Sequence, residues 1–376
     1  MSAKSFLVAD FQVVRDSPTH CLLGSQSQQK FFRAPVVAGE ICQQLLSGEP
    51  LDLVAEQYQN RPEPIDVRQF VAQLQTMGLW GDRSSEGTES HKVSPQRSSI
   101  GRILFSPIAM ALTGMGLVGS IWVLASGALP RVFDSSLLTG SYLGMAATVL
   151  LFADLILTTL HEAGHMLAAR SYGVSTQLQW GRRLFFPVLQ TQMTGLYGIP
   201  RSRRWIPILA GMAVDSLILI VVTILLWKGP ASWHSVLAWI AIRQILALLW
   251  EQMVFLKTDM YYLLTMMTGL YNLDPYARQW FKQKLFRNHP AHILPPYTAF
   301  YSMVYVLGSA AVSGYVIYMA ITKGRPLTVL ALNHIYRAPW ALSSCGSWAF
   351  ILLLIGWISI LLWTVMRPFL KGPRGP

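Results

Sequence analysis

The sequence has 376 residues, of which 52% are hydrophobic and 13% are charged, and its formal net charge is +12 at pH 7. This composition excludes an ordinary water-soluble domain and indicates a membrane protein that carries a soluble part. Because residues 1–100 contain 9 Lys and Arg against 11 Asp and Glu, and residues 101–376 contain 21 against 7, the basic excess lies in the membrane part and nucleic acid is excluded as a partner.

The first part of the chain predicts a small cytoplasmic α+β domain of winged-helix type over residues 1–82. Alternating polar and apolar residues over 6–14 and 20–24 predict short strands, and three helices are expected to follow them. The first of these helices is expected over Phe31–Gly48. A domain of this size has enough apolar positions to form its own core.

The last helix of this domain is expected to begin near Asp66 and to stop at Gly78, before a short wing strand at Trp80. Residues 83–101 are rich in Ser, Gly, Glu and Gln and have no apolar period, which predicts a flexible linker. Residues 102–376 then form the membrane domain.

The three cysteines, Cys21, Cys42 and Cys345, are far apart, so their spacing indicates neither a disulfide framework nor a cysteine zinc site. No apolar run precedes Ile103, so we expect no cleavable signal peptide. The N-terminal domain is therefore expected to stay in the cytoplasm.

The membrane domain predicts a multi-pass α-helical protein with six spans of about 20 residues, the length that a bilayer core requires. The spans are expected near residues 105–128, 140–161, 205–227, 235–256, 298–321 and 345–366. Arg and Lys cluster between alternate spans, which predicts an inner-membrane protein with both termini in the cytoplasm. Only the external loop with Lys323, Arg325 and Arg337 departs from this charge pattern.

The segment between the second and third spans is not helical in pattern. Val174–Trp180 and Arg183–Met193 have strand-like composition on either side of Gly181. We expect a hairpin there, packed on protein or lying at the membrane interface, because its backbone needs hydrogen-bond partners.

The pattern H-E-x-x-H occurs once, at His161, Glu162 and His165, at the end of the second span. Residues four apart on a helix share one face, so the two imidazoles are able to bind one metal ion. Glu162 lies beside them, where a carboxylate takes a proton from water that the metal has acidified. The alternative is a set of interfacial polar groups without a metal.

Acidic residues are rare in the membrane domain, and each is costly in hydrocarbon unless it is paired or hydrated. The seven are Asp134, Asp154, Glu162, Asp215, Glu251, Asp259 and Asp274. Five of them belong to the second, third and fourth spans, which predicts one shared polar site. Ordinary pairing, such as Glu251 with Arg243 on one helix face, is the alternative.

A catalytic zinc site with two histidines needs a third protein ligand, often a carboxylate, and an open position. Asp259 is the preferred candidate, because it follows the fourth span at the membrane depth of His161 and His165. Asp154 is the second candidate, on the same helix as the histidines but about two turns away.

The run Leu160–Arg170, followed by Tyr172–Val174, resembles the site-2 protease family of intramembrane zinc metalloproteases. Ala210–Asp215 is similar to that family's Ala-Gly-Pro-x-x-Asn segment, and Lys257–Leu264 to its Leu-Asp-Gly-like third-ligand segment. The Asp-x-Tyr-Tyr-Leu-Leu run resembles the bacterial peptide zinc metalloprotease branch. The resemblance covers about residues 140–275.

Two departures from the family pattern affect the site. Met212 and Asp215 stand where the family has Pro and Asn, in a segment that the resemblance implies contacts substrate, so Asp215 is a candidate substrate-binding residue. Met260 stands where the family has Gly beside the third ligand, and its side chain is expected to affect the turn that aims Asp259.

The N-terminal helix over Phe31–Gly48 and the helix and wing over Gln69–Trp80 resemble PqqD-like peptide-recognition domains. Such domains bind a peptide as an added strand at a sheet edge. The resemblance therefore implies a peptide partner for this domain.

These observations lead to one preferred function and two alternatives. The preferred function is an intramembrane zinc endopeptidase that cleaves a peptide or membrane-protein substrate, with Zn2+ on His161, His165 and Asp259 and with Glu162 as the general base. The first alternative is a catalytically inactive peptide-binding or assembly component of a peptide maturation or export system, working with partner proteins. The second is a transporter with a carboxylate proton relay, although no broken-helix repeats are visible.

Overall fold

The computed structural model describes residues 6–8, 11–25, 30–81, 98–128, 143–270, 273–285, 297–340 and 344–370. Asp82, Asp134 and residues 83–97 of the expected linker lie outside these ranges. Residues 99–101, the end of the expected linker, were wrongly expected to be flexible, because they form the first turn of a helix whose N-cap is Ser98. The chain divides into two compact units. The first comprises residues 1–105, 166–177 and 191–207, and the second comprises residues 106–165, 178–190 and 208–376.

Five short strands form two sheets at the start of the first unit. They are β1 (Phe6–Leu7), β2 (Phe11–Arg15), β3 (His20–Ser25), β4 (Lys30–Pro35) and β5 (Trp80–Gly81). Strand β3 pairs antiparallel with both β2 and β4, while β5 pairs with β1. The expected wing strand at Trp80 is therefore confirmed.

Three helices share one hydrophobic core with these strands: α1 (Val36–Leu46), α2 (Leu51–Gln59) and α3 (Val67–Thr76). The expected helix over Phe31–Gly48 was wrong at its start, because residues 30–35 pair with β3 as a strand and the helix begins only at Val36. Asp66 caps α3 by accepting a hydrogen bond from the backbone N–H of Gln69, and Gly78 has a positive φ after its end, as the sequence predicted.

The core of this domain comes from the inner faces of these elements. Its most buried side chains include Leu23, Ile41, Val54, Leu74 and Leu79, each at most 1% exposed. Burying such aliphatic side chains stabilises the fold by about 2 kcal/mol each.

A buried ion pair in the first unit joins the strands to the segment just before residue 205. The guanidinium of Arg204 is fully buried and lies 3.5 Å from Asp16 Oδ1, which is equally buried. Arg204 also donates to the backbone carbonyls of Ile199 at 2.9 Å and Tyr197 at 3.1 Å. The pair therefore fixes the segment that leads into the next long helix.

Ten further helices make up most of the part of the remaining chain that the structure describes. They are α4 (Ser99–Leu104), α5 (Pro107–Val123), α6 (Leu143–Ser171), α7 (Trp205–Lys228), α8 (His234–Glu251), α9 (Asp259–Thr268), α10 (Leu273–Leu285), α11 (Tyr297–Met319), α12 (Arg325–Arg337) and α13 (Cys345–Leu370). Leu219 and Val222 of α7 pack against Leu237 and Ala241 of α8 in one apolar cluster.

Within the described residues, three helical stretches are long and apolar enough to cross a membrane: Pro107–Ser126, Arg201–Lys228 and Tyr297–Arg337. The last of these contains the expected external loop, because α11 continues through a π-helical segment over Ala320–Gly324 into α12. Lys323 and Arg325 therefore lie in helix, and the expectation of a loop there was wrong.

A hairpin follows α6, as the sequence predicted. Its strands are β6 (Gln177–Arg183) and β7 (Phe186–Gln192), which form a two-stranded sheet. The turn lies at Leu184, whose φ is +57°, and not at Gly181. Gly181 lies inside β6, where an added Cβ would come within 2.5 Å of the Gln190 side chain, so glycine leaves room for a cross-strand contact.

Candidate metal centre

His161 and His165 lie one turn apart on α6 and point to the same side. Their Nε2 atoms are 3.1 Å apart, and the residues are 8% and 2% exposed. Two imidazole nitrogens held this closely in a buried place favour a shared ligand over solvent.

Asp259, the first residue of α9, completes a triangle of ligand atoms. Its Oδ2 lies 2.9 Å from Nε2 of His165 and 3.4 Å from Nε2 of His161. Tetrahedral zinc with bonds of about 2.0–2.1 Å needs ligand atoms about 3.3 Å apart, close to these distances. Among the described residues, this is the one group of three or more His, Cys, Asp or Glu side chains close enough to hold a metal ion.

Two glycines bring α6 and α7 close together at this triangle. An added Cβ on Gly211 of α7 would lie 2.5 Å from Nε2 of His161 and would also collide with Nε2 of His165. An added Cβ on Gly164 of α6 would lie 2.8 Å from the backbone oxygen of Ala210. Gly211 therefore leaves a space beside both nitrogens that any larger residue would fill, which fits a bound ion.

Asp259 is aimed by the chain just before it. Thr258 Oγ1 donates to the backbone oxygen of Glu251 at 2.7 Å, and the backbone N–H of Asp259 donates to Glu251 Oε2 at 2.8 Å. The positive φ in this connection, +56°, belongs to Lys257. Met260 lies in ordinary helix, and an effect of its side chain on the turn stays a prediction.

Asp215 contacts the second ring nitrogen of His161, Nδ1. Its Oδ2 lies 2.7 Å from Nδ1 of His161, and the side chain is 1% exposed. Metal-binding histidines usually donate their second ring N–H to a carboxylate in this way, which fixes the orientation of the ring. A direct contact between Asp215 and substrate stays a prediction.

The other two carboxylates of these helices pair differently from the alternative that the sequence left open, a Glu251–Arg243 pair. Arg243 Nε donates to Asp154 Oδ1 at 2.7 Å, and Arg183 Nη1 donates to Glu251 Oε1 at 3.3 Å. Glu251 reaches across to the hairpin because its own helix ends at that residue. Asp154 is held by Arg243 and lies outside the ligand triangle.

A chamber of about 950 Å³ adjoins this triangle. Its walls include Glu162, His161 and Asp215 on the polar side. The apolar and aromatic side chains of the lining include Trp180, Val188, Leu189, Trp239, Ile242 and Trp250. Four of the five acidic residues that were expected at one polar site, Asp154, Glu162, Asp215 and Glu251, line this chamber, and the fifth, Asp259, belongs to the ligand triangle. That these residues belong to membrane spans stays a prediction.

Two functional contacts of this site were not predicted from the sequence. Gln244 is fully buried and donates to Asp215 Oδ1 at 3.0 Å, and Glu251 holds the backbone of Asp259. An amide in an apolar helix is itself a signal, because a buried polar group needs a hydrogen-bond partner.

Comparisons of the chain with protein-family models, with curated proteins and with solved structures find no match in any of the three. The functional interpretation therefore depends on the chemistry of the site and on the pattern of its residues.

Proposed function

We propose that this protein is an intramembrane zinc endopeptidase of the site-2 protease type, related in pattern to the bacterial peptide zinc metalloproteases. The convergence of His161, His165 and Asp259 within 3.4 Å, beside a chamber that contains Glu162, carries the proposal. When bound, zinc supplies a Lewis acid that acidifies water and polarises the substrate carbonyl.

Glu162 is the base and then the acid of the proposed reaction. It is buried and lines the chamber. Its carboxylate takes a proton from the attacking water, whose oxygen bonds to the carbonyl carbon of the scissile peptide. The same carboxyl group then gives that proton to the departing nitrogen as the C–N bond breaks.

The chamber fits an apolar, extended substrate segment. Its two arginines are both paired, Arg183 with Glu251 and Arg243 with Asp154, so its walls offer mainly aromatic and aliphatic contacts. Val188 and Leu189 of β7 line it. A substrate strand beside β7 would satisfy its backbone hydrogen bonds, and unlike a helix it would expose the scissile bond.

The same proposal includes a six-span arrangement in the inner membrane with both termini in the cytoplasm. The helices α5, α6, α7, α8, α11 and α13 fall near the six expected spans. The Arg-rich segment between α6 and α7 and the basic residues after α9 support a cytoplasmic position for those ends.

The N-terminal domain is proposed to bind a peptide, as PqqD-like domains do. Its three-stranded sheet has β2 and β4 as outer strands. An outer strand of a sheet accepts an added strand through backbone hydrogen bonds. Peptide capture there would deliver substrate to the membrane domain.

The test compares metal content with peptide cleavage in the detergent-purified full chain. The wild type is expected to hold about one zinc per chain and to cleave members of a mixed pool of synthetic decapeptides, detected by mass spectrometry. Glu162→Gln is expected to keep zinc and lose cleavage, while His161→Ala and Asp259→Ala lose both. Glu49→Gln, an exposed change in the N-terminal domain, is the matched control and should match the wild type.

The alternative, an inactive peptide-binding or assembly component, makes a different prediction for the same samples. It predicts peptide binding by the N-terminal domain together with much less than one zinc per chain. Full cleavage by Glu162→Gln would instead remove Glu162 from the reaction.

A further inference from the structure

A chain of hydrogen bonds begins at the partly exposed side chain of Arg243 on α8 and leads into the buried site. Its guanidinium donates through Nε to Asp154 Oδ1 at 2.7 Å, through Nη2 to Thr158 Oγ1 at 2.8 Å and through Nη1 to Gln244 Oε1 at 2.6 Å. A guanidinium only donates hydrogen bonds and keeps its charge in proteins. The oxygen of the Gln244 amide therefore has to face Arg243.

The orientation of Gln244 fixes the next link. With its oxygen towards Arg243, its NH2 group points the other way and donates to Asp215 Oδ1 at 3.0 Å and to the backbone oxygen of Asp215 at 3.3 Å. A reversed amide would place N–H groups against the guanidinium. Because Gln244 is fully buried, no water replaces the lost partner, and only one orientation satisfies the amide.

Asp215 connects the Gln244 amide to His161. One carboxylate oxygen accepts from Gln244, and the other lies 2.7 Å from Nδ1 of His161. An ionised carboxylate accepts hydrogen bonds only, so Nδ1 of His161 carries the hydrogen. The neutral ring then has its lone pair on Nε2, the atom that lies 3.4 Å from Asp259 Oδ2 and 3.1 Å from Nε2 of His165.

We propose that Arg243 and Gln244 are positioning residues that act through Asp215 to hold His161 in the tautomer that binds metal through Nε2. This inference rests on the proposed metal site. The proposed role of Arg243 and Gln244 explains why residue 215 is an acid. An asparagine side chain there would have only one acceptor oxygen. Its NH2 group would then face either the NH2 group of Gln244 or the Nδ1–H of His161.

A reciprocal exchange separates this role from simple packing. Asp215→Asn and Gln244→Glu each create one mismatch, between two donors in the first variant and between two carboxylates in the second. The double variant restores the match between the side chains, because the carboxylate at 244 accepts from both Arg243 and the amide at 215, whose oxygen accepts from His161. Only the longer bond to the backbone oxygen of residue 215 is lost. The double variant keeps the same number of carboxylates and nearly the same volume.

The experiment measures zinc affinity of the detergent-purified full chain by competition with a chromogenic chelator, with thermal unfolding followed in parallel. Each single variant is expected to bind zinc about 10-fold or more weakly, and the double variant to recover to within about threefold of the wild type. Asp52→Asn and Gln252→Glu make the same chemical changes at exposed positions and should leave the affinity unchanged.

Two outcomes overturn the inference. One is wild-type zinc affinity in Asp215→Asn, and the other is a double variant as weak as the two single losses combined. If a single variant fails to fold, the comparison of the double variant with the wild type still decides. A wild type that binds no zinc overturns the metal site itself, and with it this inference, so the two failures are distinguishable.

Discussion

The side chain of Glu251 accepts a hydrogen bond from the backbone N–H of Asp259 at 2.8 Å, so the last residue of α8 holds the first residue of α9. An N–H in the first turn of a helix has no partner within that helix and needs one outside it. Glu251 also accepts from Arg183 of β6 at 3.3 Å. One carboxylate thus links two helices and the hairpin beside the candidate metal ligand.

Replacing Glu251 with Gln is expected to weaken zinc binding about 10-fold while the chain still folds. The amide keeps one acceptor oxygen, and its NH2 group then faces either the N–H of Asp259 or the guanidinium of Arg183, so one of the two links is lost. Chelator competition measures the effect. Gln252→Ala, an exposed change at the next position, should have no effect, and an unchanged affinity in Glu251→Gln would contradict this role.

Gly211→Ala is expected to reduce the zinc content well below one per chain without unfolding α7. Its Cβ would lie 2.5 Å from Nε2 of His161, in the space beside the ligand atoms, whereas alanine by itself favours a helix over glycine by about 1 kcal/mol. Gly119→Ala is the matched control, because a Cβ there meets nothing within 4 Å. Metal analysis measures the loss of zinc, and thermal unfolding measures the effect on helix stability. Full zinc content in Gly211→Ala would contradict a metal site beside this glycine.

The three residues of the candidate metal site were predictable from helical periodicity and from the positions of the expected spans. His161 and His165 share a face at a spacing of four, and Asp259 follows the fourth expected span at the same depth. The roles of Gln244 and Glu251 were not predictable, because they depend on how α8 is rotated against α7 and the hairpin. That rotation comes from packing between helices, which no single periodicity specifies.

In the N-terminal domain, too, features set by local sequence were predictable and features set by tertiary packing were not. Its three helices and the Asp66 cap followed from local signals, and α3 begins and ends close to the predicted residues. Residues 30–35 form a strand and not a helical turn, since their partner β3 supplies the ladder of hydrogen bonds. Tertiary pairing decides short segments of this kind over local preference.

Arg204→Met is expected to lower the free energy of unfolding by about 3 kcal/mol, because it leaves the buried carboxylate of Asp16 without its buried cation. Arg33 also lies 3.4 Å from Asp16 but is more exposed. Arg203→Met, at the exposed neighbouring position, should cost much less. Denaturant unfolding of the purified chain measures both, and equal costs would contradict a specific role for the Asp16–Arg204 pair.

The two cysteines of the N-terminal domain are expected to resist alkylation in the folded protein. Burial raises the pKa of the Cys42 thiol to about 12 and also raises the pKa of Cys21. Thiolate is the reactive form, so these thiols stay protonated and slow below those pKa values, and their reaction should speed up only as the pH rises. Mass spectrometry after maleimide treatment at pH 8 should find one label without denaturant and three with it. A rapid second label without denaturant would show that the core around Cys42 opens readily.

That expected single label, on Cys345, also tests the proposed orientation. Cys345 is exposed at the start of α13, the end that the six-span arrangement places outside the cytoplasm. A membrane-impermeant maleimide should therefore label intact cells that express the wild type, and Cys345→Ser should remove the label. Labelling that requires permeabilised cells would place this end in the cytoplasm. That result would contradict the arrangement of six spans with both termini in the cytoplasm.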